Sequence, residues 1–486
     1  MRKLALILTI TLVFCAGAAF SAEKEELIPV KALVHLNTNI SSGEYSPEKL
    51  VLMARDAGVD AVFMTENYLP RWEYGLFPFR NVIKKIVVKN GLLQYGVERY
   101  IERIDAINKS VPEVTVIMAA EVAPFYYWTG SSFKKDTFTL NDWDLQFLVT
   151  GMKPSDYENI PTLSAGSFSR YSWKSVFLLW PFILMIFGFI SLKKKHPRFY
   201  IADPLCWAFI LIGLGFALHY YPFKVVKYDQ YHGEQGAGPY QEVIDYVNKH
   251  GGMTFWSAPE SMTHMRVDPV IVANPPATEH MLKAKNYTGF CCFYEGYRSV
   301  GGPGGAWDTI LNDYCAGRRE RPVWTIGEMS YHGKEAGVSK TLDEVQTVLF
   351  VPSKSKENIF KAMKKGNMYA VRSSKTHRME LKSFTVENSK GQKANMGEEL
   401  QADSPVTVRF ELNWTGEPEE IISARLIRGG ILIKEFFITE PGKFEYQDNL
   451  NNNGRRSYYR LDIRGKYPSM LFSNPVFVRS AREKQG

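Results

Sequence analysis

"KALVHLNTNISSGEYSPEKLVLMARDAGVDAVFMTEN", Lys31 to Asn67, decides how the fold is read. "KALVHLN" is strand-like and carries His35 and Asn37 at its end. Ser46 caps a helix that has Pro47 in its first turn. Leu50, Met53, Ala54 and Ala57 then recur at helical spacing, and Gly58 stops the helix. "VDAVFMT" is a second strand that runs into Thr65, Glu66 and Asn67. The stretch is a βαβ unit, and its polar residues gather at the strand ends, where α/β folds keep their chemistry.

The rhythm continues outward. A helix around 95–109 leads to the strand "VTVIMAAEV" with Glu121 at its end, and "LQFLVTG" is a fourth strand containing Gln146. Farther on, "YQEVIDYVNKHGG" is a helix, "MTFWSAP" and "YTGFCCFYEG" are strands, and "WDTILNDYCAG" is a helix. "PVWTIGEMSYHG" is a strand with a polar loop, and "SKENIFKAMKKGNMYAV" is a helix followed by a strand. This alternation predicts a parallel α/β domain, a barrel. From about residue 376 the pattern changes to alternating strands such as "MELKSFTVEN" and "SPVTVRFELNW", which predict a small antiparallel β-sandwich.

Two apolar stretches interrupt the barrel. Ser175 to Leu192 holds 18 residues without a charge, roughly 27 Å as a helix at about 1.5 Å per residue. "KKKHPR" follows, then Ile201 to Tyr221, apolar except for Asp203 and His219 near its ends. A buried hairpin of a soluble protein is the alternative, but the lysine cluster between the two runs favours a transmembrane hairpin. The positive-inside rule puts the basic loop 193–200 in the cytoplasm and both flanks outside. The N-terminus points the same way. Arg2 and Lys3, an apolar run from Leu4 to Phe14, and Ala19 and Ser21 before Ala22 make a secretory signal peptide. Cys15 offers a lipoprotein reading, which the bulky Phe14 disfavours, and an uncleaved anchor is a further option. The expected organisation is therefore 1–22 signal peptide, 23–173 first part of the barrel, 174–221 transmembrane hairpin, 222–375 second part of the barrel, and 376–486 sandwich.

Composition adds exclusions. The chain has 486 residues, 45% of them hydrophobic and 14% aromatic, which argues for a packed protein rather than disorder. A net charge of +8 without a dense Lys/Arg stripe speaks against a nucleic-acid partner. Walker A, GxSxG, HExxH and GxGxxG patterns are all missing. Cys291 or Cys292 could bridge to Cys315 in an oxidising compartment, or all three are buried thiols. "GGPGGAW" could approach a phosphate but reads better as a flexible loop. "PFYYWTG" could line a cleft, touch the membrane interface or lie in the core. His264 and His280 fall near the site segments, and a surface role is expected for both.

The opening stretch resembles the start of the PHP (polymerase and histidinol phosphatase) family, in which H-x-H-T-x-x-S-D-G precedes a helix, a strand and T-D-H. "IMAAEVAP", "HGGMTFWSAPE", "WDTILNDYCAGRRERPVWTIGEMSYHG" and "IFKAMKKGNMYAV" resemble later family segments in the same order. The sandwich resembles a domain appended to one PHP branch. The resemblance implies a distorted (β/α)7 barrel, here interrupted by the hairpin, with up to three divalent metals and phosphoester hydrolysis. Such chemistry needs imidazoles and carboxylates to bind the cations and activate a water. Position by position, His35 is kept, Asn37 replaces the second histidine and Ser42 the aspartate of S-D-G. Glu66 and Asn67 replace the Asp and His of T-D-H, and Glu121 is kept. Gln146 and Ala258 stand where histidines are expected, Ser330 replaces the late aspartate, and His332 is kept.

Four ligands thus remain: His35, Glu66, Glu121 and His332. If they converge, they suit one divalent ion, Zn or Mn, and otherwise they are hydrogen-bonded remnants. The resemblance accordingly implies a barrel with a degenerate site. The leading expectation is a pseudoenzyme that binds a small molecule, a glycan or an envelope protein. The alternative is a phosphoesterase working with a single metal, and a third option gives the biology to the sandwich.

Overall fold

The computed structural model describes residues 26–193, 203–333, 341–402, 405–418, 420–449 and 455–480. The expected signal peptide at 1–22 and nearly all of the basic loop at 193–200 lie outside them. The chain is a mixed α/β protein. It opens with β1 (Ile28–Leu36), α1 (Pro47–Asp56) and β2 (Ala61–Asn67), as the leading stretch predicts. Ser46 accepts a hydrogen bond from the Lys49 amide at 3.3 Å and so caps α1, whose Leu50, Val51 and Ala54 are buried. The next strands pair as an extension of β1 and β2. They are β5 (Thr115–Val122), reached through the hairpin β3 (Arg71–Gly75) and β4 (Lys84–Val88) and the helix α2 (Val97–Ser110), then β6 (Phe147–Thr150). Farther along the chain come β7 (Met253–Trp256), β8 (Gly289–Phe293) and β9 (Trp324–Gly327).

Hydrogen bonding orders these strands β9-β8-β7-β6-β5-β2-β1. The run returns on itself just past β9. The Met329 amide donates to Val34 O at 2.8 Å, Tyr331 to His35 O at 3.0 Å, and Asn37 to Tyr331 O at 3.0 Å, around a parallel bridge between Leu36 and Tyr331. The expected all-parallel arrangement needs one correction, because β6 is antiparallel to both β5 and β7. Residues 123–146 contain no helix, so the chain turns back beside β5 without the crossover that a parallel neighbour requires.

The boundary placed at 375 divides the chain but not the sheet. β10 (Val345–Val351) pairs with β1, β11 (Met368–Arg372) with β10, and Met470–Ser473 with β11, all antiparallel. The described residues of 378–480 form mostly antiparallel strands, with one parallel pair, Glu399–Ala402 beside Val476–Ser480, around a second apolar core that includes Val386, Leu412, Ile422 and Leu461, and Val348, Tyr369 and Val371 join it. A buried ion pair fastens this unit to the first. Arg460 donates through Nε to Asp308 Oδ1 at 2.7 Å and through Nη2 to Asp308 Oδ2 at 2.6 Å, and the Tyr458 hydroxyl donates to the same Oδ1 at 2.7 Å. "GGPGGAW" is built around this pair rather than loose. The Gly304 amide donates to Asp308, and Gly302 O accepts from Arg460. Asn474 adds a second tie, receiving the Thr325 amide and donating to Thr325 O and Met368 O.

Two helices are long and apolar enough to cross a bilayer, Trp173–Lys193 and Asp203–Tyr220. Their regular parts are α3 (Trp180–Lys193) and α4 (Asp203–Tyr220). Only 11% and 22% of their apolar windows are buried, so their flanks are bare of protein. They meet where glycine allows it. A Cβ at Gly188 would lie 2.8 Å from Cys206 O, and one at Gly213 2.6 Å from Met185 Cγ. A two-residue ladder, Ser169–Arg170 with Val225–Val226, closes the base of the insertion.

Smaller corrections follow from packing. No disulfide joins Cys291 or Cys292 to Cys315. All three are thiols, and Cys292 donates to Ile326 O at 3.3 Å from within the sheet. His280 is buried, stacked on Tyr240 with ring centroids 4.7 Å apart, whereas His264 is exposed.

Removing one member of the Asp308–Arg460 pair strands the other charge in the interior. Arg460→Ala is therefore expected to cost about 3–5 kcal/mol, seen as a lowered midpoint of thermal unfolding in detergent solution. An unchanged midpoint would mean that the pair does not fasten the two units.

Candidate functional site

The strand ends of the first unit surround a cavity of about 810 Å³. Its wall includes His35, Glu121, Gln146, Ala258, Ser330 and His332 from the sequence-derived set, and Asn67 stands at its edge. Asn37 sits just behind, buried. Glu66 does not line the cavity. It accepts from the Thr38 amide (3.3 Å), the Thr38 hydroxyl (2.6 Å), the Ser41 hydroxyl and Tyr100 (3.3 Å). Burial holds its carboxyl above the usual range despite these donors. Glu66 thus ties the loop after β1 to α2, and the four expected ligands do not converge.

What does converge is a buried charge relay of three side chains. The His35 ring lies between two carboxylates, with Nε2 at 3.3 Å from Glu121 Oε1 and Nδ1 donating to Glu328 Oε1. Burial alone would lower the imidazole pKa, but the charges and hydrogen bonds of Glu121 and Glu328 push it up to about 10. The two flanking carboxylates thus favour the protonated form of the ring. Burial would raise Glu121, yet His35, His332 and the Asn37 amide hold it below the usual carboxylate range. The remaining valences of Glu121 are taken by the amides of Asn37 (3.1 Å), Asn67 and Gln146. Glu328 accepts further bonds from the Ser257 hydroxyl and, at 3.1 Å, the Ala258 amide. His332 stands off, its Nδ1 3.1 Å from the Ser42 hydroxyl and its ring centroid 6.2 Å from that of His35.

This donor set does not fit a divalent cation. The amide N–H groups of Asn37, Asn67 and Gln146 and the Nδ1 of His35 donate to the carboxylate oxygens that a metal would need, while His35 Nε2 makes no hydrogen bond among the described residues. Among the described residues, no group of three or more His, Cys, Asp and Glu is placed to hold a metal.

The backbone around the cavity is unusual in one respect. His35, Ala258 and Ser330 all have positive φ, at 69°, 40° and 45°. Non-glycine residues adopt this region at a cost of order 1–3 kcal/mol, and such strain collects at ligand sites. At His35 it coincides with a register shift between β1 and β2 that turns the ring into the cavity.

Sequence reasoning missed Glu328, although it follows β9 directly, where a carboxylate at a strand end is a signal. It looked instead two residues on, at Ser330. It also missed Arg372, which lines the cavity from β11 with its guanidinium 4.1 Å from the Tyr294 ring centroid and bonded to Glu344. "PFYYWTG" contributes Tyr126 to the cavity wall.

No family model matches the chain, and no curated protein does. Several solved structures are similar to it, these two among them. One is a two-domain protein from Bacteroides vulgatus ATCC 8482 that contains a predicted PHP-like metal-dependent phosphoesterase. It is 11% identical, covers 90% of this chain and 90% of its own, and has a TM-score of 0.34. The other is a candidate metal-dependent phosphoesterase from Bifidobacterium adolescentis ATCC 15703, 12% identical over 68% of this chain and 95% of its own, with a TM-score of 0.29.

Two expectations follow. His35 titrates higher folded than unfolded, so it binds a proton on folding, and its stabilising contribution is whole below about pH 6.5 and fades as pH rises toward about 10. The unfolding midpoint should fall across that window, and His35→Gln should flatten the fall. A wild-type slope that survives in the variant would disprove the protonated His35. Ala258→Gly should relieve the left-handed strain and raise stability by about 1 kcal/mol. A destabilised variant would show that the strain is not stored there.

Proposed function

We propose that the chain is a PHP-like barrel protein, anchored by its α3–α4 hairpin with both larger units on the outer face of the membrane. On this reading its cavity binds a polar ligand (a small molecule, a glycan or an envelope protein) and no longer hydrolyses phosphate esters. The single observation that carries the reading is the buried His35 ring lodged between the carboxylates of Glu121 and Glu328. In a metal-dependent site those carboxylates would neutralise a cation; here the His35 ring lies between them, and three amides donate to Glu121. The strained backbone at His35, Ala258 and Ser330 supports the same view, because it keeps the geometry of a site at positions where Ala258 has no functional group left to aim. The cavity retains donors and acceptors suited to a neutral or zwitterionic polar ligand, among them Gln146, Ser257, Ser330, Arg372 and Asp144.

Metal analysis of the full chain purified in detergent, with a panel of phosphomonoesters and diesters, tests the proposal. The expected result is no stoichiometric Zn or Mn and no turnover above a His35→Ala, Glu121→Ala control. One equivalent of metal that is lost in either variant, together with hydrolysis, would establish the single-metal phosphoesterase instead.

A further inference from the structure

A second cavity, of about 570 Å³, lies between the β3–β4 hairpin and a small sheet made by Tyr127–Thr129, Thr139–Asn141, Thr263–Val267 and Val270–Asn274. Its wall is apolar, with Trp72, Ile83, Trp128, Phe138, Val270 and Val272 among the residues that form it. Trp72 also belongs to the wall of the site cavity, so the two spaces share that side chain. No buried polar group in the apolar cavity calls for a polar ligand.

The position of the hairpin says what could reach this space. Its turn rests on the end of α4. The Phe79 ring packs on Phe216 with centroids 5.1 Å apart, the Asn81 amide nitrogen donates to His219 Nδ1 at 3.2 Å, and Asn81 Nδ2 donates to His219 O at 2.8 Å. Around that helix end stand Tyr171, Trp173, Trp180, Tyr220 and Tyr221, with Lys174 and Lys224 over two of the rings. Trp and Tyr with flanking lysines mark the level of the membrane–water interface. The hairpin therefore sits at that level.

Its own composition fits a lipid surface. Residues 81–90 are all exposed, including Val82, Ile83, Ile86, Val87 and Val88. Between Glu73 and Glu98 there are four cations, Arg80, Lys84, Lys85 and Lys89, and no acid. Lys84 reaches Glu73 at 3.1 Å, while Arg80, Lys85 and Lys89 have no carboxylate partner among the described residues. Asp268, the one acid on the cavity wall, is paired with Arg266. An edge strand that is apolar and basic at once is an aggregation hazard in water, and it suits a leaflet with anionic headgroups.

We propose that this cavity takes an acyl chain of an anionic phospholipid from the leaflet that α3 and α4 enter, with Lys84 and Lys85 meeting the phosphate at the rim. The inference rests on the membrane reading above. The cavity would draw a lipid tail to a side chain shared with the polar site.

The test uses the full chain reconstituted into phosphatidylcholine vesicles with or without phosphatidylglycerol, the lipid carrying a photoactivatable diazirine in its acyl chain. Labelled residues are mapped by mass spectrometry. The expected result is labelling of 72–76, 128–140 and 267–272 by phosphatidylglycerol, beside labelling of α3 and α4. Lys84→Gln and Lys85→Gln should each weaken the cavity labelling about fivefold. Val270→Trp should abolish it while leaving α3 and α4 labelled and the circular dichroism unchanged. Labelled helices with bare cavity walls, or equal labelling of the walls by phosphatidylcholine, would overturn the inference and leave the membrane reading intact. Unlabelled helices, with the protein extracted by carbonate, would instead remove the membrane reading and this inference with it.

Discussion

A charge cannot lie dry inside a protein without an opposite charge beside it, and the architecture of the site follows from how this chain meets that constraint. Two carboxylates reach the His35 ring, Glu121 from β5 and Glu328 from the segment that follows β9. Each is buried, where an uncompensated carboxylate is costly. The His35 ring placed between them faces both at once, and side-chain amides complete the hydrogen bonding of one of them. The arrangement asks for His35 at a fixed place and angle, which explains why its backbone is held in a region that histidine rarely visits.

The same compensation recurs away from the cavity. Asp308 and Arg460 meet in the interface between the two larger units, fully buried and doubly bonded. Buried pairs of this kind add little net stability over apolar packing, but they tolerate few alternative geometries. With Asn474 bridging β9 and β11, they define one way for the C-terminal strands to dock, so Arg372 reaches the cavity from a strand shared by both cores.

Much of this was legible in the residues. The capping serine, the helical spacing after it and the glycine stop gave α1 closely, and the strand patterns gave β1 and β2 with ends shifted by a few residues, because those signals are local. The change of period near 376 marked the second set of strands for the same reason. Long-range pairing was not legible. Nothing in "LQFLVTG" states that it runs antiparallel to both neighbours, and nothing near residue 375 states that the sheet passes through that boundary. At the site, the positions of His35, Glu121, Asn67 and Gln146 followed from strand ends, whereas the diversion of Glu66 to Thr38, Ser41 and Tyr100 depends on a loop conformation. Glu328 was overlooked because a familiar spacing pointed past it to Ser330.

The two-residue ladder beneath the helical hairpin carries a practical consequence. Because Arg170 and Val225 are paired neighbours, the outgoing and returning chain are already within the reach of a tight turn. The segment between them is thus a module that could be cut out and replaced by a short linker while leaving the flanking strands in place. Such an excision would also unroof Phe79 and Asn81, so the β3–β4 tip would need polar replacements to keep the trimmed protein from self-association.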